Sequence, residues 1–166
     1  METRIEITEA VREEFDHIVQ ERLIYSVYQP IVSFETGEIF GYEGLSRIKK
    51  ENSILNIGEL FQAAEQMNKV WELEALCRRR TLKNAVKKPC GVKLFLNVDP
   101  NCIRDEKFKS GLTTKYLKQY GLHPSDIIFE ITERGAIFDA EAFKNTIFHY
   151  RQEQFEIAID DFGTGY

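Results

Sequence analysis

The chain predicts an α/β fold with a largely parallel sheet buried on both faces. Strand and helix patterns alternate after residue 92, and the strands at 92–98, 127–132 and 155–161 are near-continuous apolar runs. These runs close in acid or amide side chains: Asn97 and Asp99, Glu130 and Glu133, Asp160 and Asp161. Hard oxygen ligands carried at the ends of successive strands are what a divalent-cation site in an α/β barrel requires.

Each element has its own local reason. Thr8 suits the N-cap of a first helix that places Val11, Phe15, Ile18 and Val19 on one face. A strand follows over 25–34, then the turn Glu35-Thr36-Gly37-Glu38 and a second strand over 39–45, which predicts an antiparallel pair. Asn56-Ile57-Gly58-Glu59 has capping-box spacing and opens a helix bearing Leu60, Phe61, Ala64 and Met67. A further helix spans 71–85 and stops at Lys88-Pro89-Cys90-Gly91. Beyond the strand at 92–98 the pattern predicts a helix over 105–120, closed by Gly121 and Pro124. Asp139 caps the last helix, which carries Phe143, Ile147 and Tyr150. No internal repeat, low-complexity tract or linker interrupts the 166 residues, which set the expectation of one domain with a real core.

Composition narrows the function. The 22 Lys and Arg against 27 Asp and Glu leave a net charge of −5, and no basic run exceeds Arg78-Arg79-Arg80. A nucleic-acid polymer is therefore not an expected partner, because its affinity comes mostly from phosphate neutralisation. A small anion remains compatible if metal ions supply the positive charge. Cys77, Cys90 and Cys102 are odd in number and widely spaced, which suggests neither a disulfide framework nor a zinc ribbon and fits a reducing cytoplasm. No apolar run approaches the roughly 18 residues of a membrane span. Membrane contact by this segment is not expected, although a parent protein could be attached through other domains.

The polar residues at the strand ends admit two readings. In Ile128-Phe129-Glu130-Ile131-Thr132 the strand period puts Glu130 on one face with Ile128 and Thr132. Glu130 is then either a solvated strand end or a carboxylate in a sheet interior, which needs a cation or donors to be stable. Asp160-Asp161 before Phe162-Gly163-Thr164-Gly165 reads as an ordinary turn or as a pair of carboxylates able to serve two metal ions. Asn97 alone is a turn former and Glu43 alone an exposed strand residue. Their recurrence as a set, Glu43, Asn97, Glu130 and Asp160, favours the metal reading. His17, His123 and His149 lack the spacing of a metal cluster or a catalytic triad and read as structural. Trp71, Phe129 and Phe155 read as packing residues.

Taken together, the motifs resemble the EAL-domain family of cyclic di-GMP phosphodiesterases. Tyr28-Gln29-Pro30-Ile31 is similar to the family's opening strand, Glu43-Gly44-Leu45-Ser46-Arg47 to its signature, and Asn97-Val98-Asp99 to its asparagine motif. Glu130-Ile131-Thr132-Glu133 and Asp160-Asp161-Phe162-Gly163-Thr164-Gly165-Tyr166 are similar to the last two motifs. The resemblance implies a TIM-like (β/α) barrel whose first strand is antiparallel. It also implies hydrolysis of one phosphodiester bond of cyclic di-GMP to linear pGpG, with two Mg²⁺ or Mn²⁺ ions as cofactors. By resemblance, Glu43, Asn97, Glu130 and Asp160 hold one ion and Asp160 and Asp161 the second, with Glu43, Asp160 and Asp161 central to catalysis. Gln29 and Arg47 contact the substrate, and Glu133 anchors the loop that begins at Phe162.

Two departures qualify the resemblance. Gly44 stands where the family usually has alanine and Ser46 where it usually has leucine, which predicts a locally looser strand. About five of the eight strands of a barrel are legible, so residues 1–166 read as a single partial domain, 1–24 an N-terminal helical region and 25–166 the barrel strands and helices. Such an incomplete barrel is expected to be inactive alone, and to self-associate through its edges and through apolar residues expected to line its interior, such as Leu94, Leu96 and Ile157. The rival function is a cyclic di-GMP receptor or scaffold that binds without cleaving.

Overall fold

The computed structural model describes residues 4–132 and 139–161. Helix α1 (Glu9–Gln20) starts where the Thr8 side chain accepts the Val11 N–H and buries Val11, Phe15 and Ile18. Strands β1 (Ile24–Val32) and β2 (Ile39–Ile48) form the antiparallel pair. Helices α2 (Ile57–Gln66) and α3 (Val70–Asn84) lead to β3 (Lys93–Asn97). Helix α4 (Leu112–Tyr120) precedes β4 (Ile127–Thr132), and α5 (Ala140–Gln152) precedes β5 (Glu156–Asp160). The sheet has the order β1-β2-β3-β4-β5, with every pairing after the first parallel. It is an open five-stranded sheet of the expected class, with β1 and β5 at its edges. Among the described residues, no helix is long and apolar enough to cross a membrane.

Three boundaries differ from the sequence pattern by more than one residue, each for a local reason. Strand β1 ends at Val32 rather than 34, because Ser33 N–H already donates to Glu38 O and Gly37 N–H to Ser33 O across the turn. Strand β2 continues to Ile48, since the start of β1 pairs with it out to Ile24↔Ile48. The helix expected from residue 105 starts at Leu112. Asp105 turns the chain instead, its side chain accepting the Lys107 N–H at 2.8 Å and its carbonyl the Phe108 N–H at 2.8 Å, and Gly111 then adopts φ +75°.

The register sorts residues onto two faces. One face carries Ser26 and Tyr28 of β1, Gly44 and Ser46 of β2, Leu94 and Leu96 of β3, Phe129 and Ile131 of β4 and Ile157 of β5. Helix α3 packs here: Tyr28 Oη donates to Thr81 O at 2.7 Å and Ser26 Oγ lies 2.8 Å from Thr81 Oγ1. The main core therefore lies between this face and the helices, with Leu73, Leu82, Phe129 and Ile131 fully buried. This corrects one expectation. Leu94 and Leu96 are core residues under the helical layer, and Ile157 packs against the same cluster; none of them lines an open interior.

Candidate metal and phosphodiester site

The opposite face of the sheet gathers the polar residues singled out above. Cross-strand partners share a face, and the register runs Gln29↔Glu43, Glu43↔Phe95, Asn97↔Glu130 and Thr132↔Asp160. Gln29, Glu43, Asn97, Glu130 and Asp160 therefore stand on one face, and Arg47 shares it by the strand period from Glu43. Asn97 and Asp160 are the last residues of β3 and β5, while Glu43 lies in the middle of β2 rather than at a strand end. The long hairpin overshoots the shorter parallel strands, so mid-strand Glu43 is level with Phe95 and still meets Asn97, whose Nδ2 donates to Glu43 Oε1 at 2.7 Å.

Two backbone features shape this face. A bulge in β2 offsets the pairing between Ile31↔Gly41 and Val32↔Ile39, and Phe40, the extra residue, contacts Phe95 with ring centroids 6.0 Å apart. Strand β5 ends abruptly because Asp161 has φ +56°. A left-handed residue breaks the alternation of an extended strand, so Asp160 and Asp161 are not forced to opposite faces.

Glu130 is the electrostatic centre of the site. Its Oε2 is buried and has no hydrogen-bond partner among the described residues. Burial, reinforced by the nearby Glu43 and Asp160 carboxylates, pushes its pKa up to about 7. Among the described residues, this buried carboxylate oxygen has no donor and stands beside two further acids and an amide. Hard oxygen donors in such a set fit a divalent cation in kind and in charge. Among the described residues, however, no three acidic, histidine or cysteine side chains converge closely enough to clasp an ion as they stand.

Beside these acids a cavity of about 680 Å³ opens at the C-terminal ends of β2, β3 and β4. Arg47, Asn97, Asp99 and Thr132 line it together with Phe61 of α2 and Glu74 of α3, whereas Glu43, Glu130 and Asp160 do not. Arg47 Nη1 donates to the carbonyl of its neighbour Ser46 at 2.8 Å, and Gln29 is exposed on β1. Glu133 and the segment from Phe162 lie outside the described residues. Sequence reasoning passed over Glu74 and Arg78, which form a buried ion pair at 2.9 Å and both line the cavity. Their signal was a Glu-x-x-x-Arg spacing on a helix face shared with Trp71 and Cys77.

Comparison with known proteins agrees with this fold. The EAL domain family model matches residues 9–166, and the chain belongs to that family. It is 32% identical over 148 residues to the Escherichia coli (strain K12) protein called "probable cyclic di-GMP phosphodiesterase PdeA", covering 87% of this chain but only 20% of that protein's length. Among solved structures it is similar to Klebsiella pneumoniae BlrP1 in a manganese and cyclic di-GMP complex, with a TM-score of 0.73 and 25% identity over 87% of this chain and 36% of the other. The Pseudomonas aeruginosa FimX EAL domain bound to cyclic di-GMP shares the fold at a TM-score of 0.77 and 19% identity, over 92% of this chain and 62% of the other.

Proposed function

We propose that this chain supplies part of the active site of a metal-dependent phosphodiesterase that opens cyclic di-GMP to linear pGpG. The observation that carries the reading is Glu130 Oε2, buried with no donor among the described residues, beside Glu43, Asn97 and Asp160 on one sheet face. Membership of the EAL family supports the substrate. Glu43, Asn97, Glu130 and Asp160 would hold one Mg²⁺ or Mn²⁺, and Asp160 with Asp161 a second. When bound, the ions activate water for in-line attack and neutralise charge on the phosphoryl oxygens.

The chain's own residues do the rest. Asn97 orients Glu43 through its Nδ2 donor. Glu130 gives up the proton it holds in the metal-free site, because ligation requires the carboxylate. Arg47, which lines the cavity, meets the substrate phosphate, and Gln29, opposite Glu43, contacts a neighbouring polar group. Glu133 would anchor the loop that begins at Phe162.

In a protein that carries this domain and cleaves cyclic di-GMP, Glu43→Ala and Asp160→Ala should each lower turnover by about 10²-fold or more, given how much charge stabilisation such groups provide. Melting temperatures should change little. Chelation should stop the reaction and Mg²⁺ or Mn²⁺ restore it. Retained turnover in both variants, followed by nucleotide chromatography, would defeat the assignment. The 166-residue chain by itself is expected to hydrolyse nothing measurable, since a site on an open five-stranded sheet does not fix water and phosphate geometry.

The cavity itself favours a second reading, because it touches Arg47 and Asn97 but none of the three carboxylates Glu43, Glu130 and Asp160. A receptor would bind cyclic di-GMP through that cavity without metal and without cleavage. Binding that persists in chelator, with no turnover under any metal, would select it.

A further inference from the structure

Glu74 and Arg78, one turn apart on α3, are 5% and 4% exposed, and the proposed hydrolysis uses neither. Arg78 Nη2 donates to Glu74 Oε2 at 2.9 Å, and Arg78 Nη1 donates to Thr113 Oγ1 of α4 at 3.0 Å. The guanidinium also lies 5.1 Å from the Phe129 ring centroid and 5.6 Å from that of Tyr150. The other carboxylate oxygen, Glu74 Oε1, reaches away from the helix and accepts the Asp99 N–H at 2.5 Å.

That contact matters because of where Asp99 stands. It follows Asn97 by two residues, and between them Val98 N–H donates to Glu130 O at 2.9 Å. The main chain leaving β3 is thus held by β4 on one side and by α3 on the other. A buried ion pair is a costly way merely to attach a helix, since apolar residues of similar volume often do it as well or better. A carboxylate held by a guanidinium and aimed at one N–H instead imposes direction, because charge-assisted hydrogen bonds are short and geometrically demanding.

We infer that Glu74, clamped by Arg78, is a positioning residue for Asn97. It fixes the backbone at Asp99 and so sets the direction in which Asn97 presents its amide to Glu43 and to a cation. The cation half of this inference rests on the proposed metal site; the Asn97–Glu43 half does not. Glu74 touches no reacting group and acts through the Asn97-Val98-Asp99 segment.

The test is a cycle of Glu74→Gln and Asn97→Ala in this chain, with Mn²⁺ binding read from line broadening in nuclear magnetic resonance spectra. Losing a group that orients a metal ligand costs about tenfold or more in affinity, so Glu74→Gln should weaken Mn²⁺ binding by about tenfold in the native background. In the Asn97→Ala background it should cost less than twofold, because the two act through one path. Equal losses in both backgrounds, or none in either, would overturn the inference. Glu74→Asp keeps the charge beside Arg78 but is too short to reach Asp99; it should reproduce the loss at Asn97 with a smaller drop in melting temperature.

Metal-free spectra separate this inference from the metal reading. Both Glu74 variants should speed exchange of the Asp99 N–H and of the Asn97 side-chain amide by about tenfold relative to the native chain. Absence of Mn²⁺ binding by the native chain would count against the metal site alone. Unchanged Asn97 exchange in either variant would sink the positioning role.

Discussion

At the scale of single residues, Gly44 shows how a small departure from a family pattern is explained by a neighbour. A Cβ built there would lie 2.3 Å from Thr81 Cγ2. Thr81 cannot yield easily, because its Oγ1 meets Ser26 Oγ and Cys77 O while its carbonyl accepts Tyr28 Oη. The missing methyl therefore makes room for α3 to sit tightly on β2, the reverse of the looser strand that the sequence suggests. Gly44→Ala should cost about 1–3 kcal/mol through overpacking. Adding Thr81→Ser, which removes only Cγ2, should recover much of that loss in urea denaturation. Glu130 yields a second expectation. Its carboxyl keeps a proton up to about 7 in the folded chain, against an ordinary value of 4.5. Between those values the folded state binds more protons than the unfolded one, so this group lowers stability as pH rises through the window and its penalty is constant above it. In chelator-treated protein, Glu130→Gln should raise the denaturation midpoint relative to the native chain at pH 8, and much less at pH 4.5. An equal effect at both pH values would refute the penalty that burial and the neighbouring carboxylates impose on the charged form.

Elements reveal two kinds of cap, one readable in sequence and one not. At α2, the Asn56 side chain accepts the Glu59 N–H while Glu59 accepts the Asn56 N–H, a capping box within four residues. Asn56→Ala should cost about 1 kcal/mol. Helix α4 has no such local device, and Gly111 precedes it with no side chain to offer. Its cap comes from the end of α5: Glu153 Oε1 accepts the Gly111 N–H at 2.9 Å and the Ser110 hydroxyl at 3.1 Å, and Oε2 accepts the Thr114 hydroxyl at 3.1 Å. Glu153→Ala should cost about 1–2 kcal/mol, as expected when several donors lose a charged acceptor. Faster amide exchange should be confined to the first turn of α4. The helix pattern over 105–120 was legible, but its true start was set by a contact across more than 40 residues, which no local signal carries.

For the whole molecule, the consequential fact is an open sheet. Among the described residues, strands β1 and β5 each leave one side unpaired. Beside those edges Tyr25 is 42% exposed, Val27 37% and Ile159 49%. Unpaired edges beside apolar residues template pairing with other chains, and strand exchange between two copies is one form this takes. The isolated chain should therefore self-associate with rising concentration in light scattering. A monodisperse monomer at high concentration, with no dye-accessible apolar surface, would contradict this.

What the sequence determined by itself was the list of parts. Near-continuous apolar runs named the parallel strands, local caps named α1, α2 and α5, and five ordered motifs pointed to the family and nominated the residues Gln29, Glu43, Arg47, Asn97, Glu130, Asp160 and Asp161. Those signals are local, since each lies within a few residues of chain. Tertiary structure decided which face the residues share, through a register that joins strands tens of residues apart. It also decided that Leu94 and Leu96 face helices, that Gly44 serves Thr81, and that Glu74 reaches Asp99. Each of these depends on the distance between side chains far apart in sequence, and packing alone sets such distances.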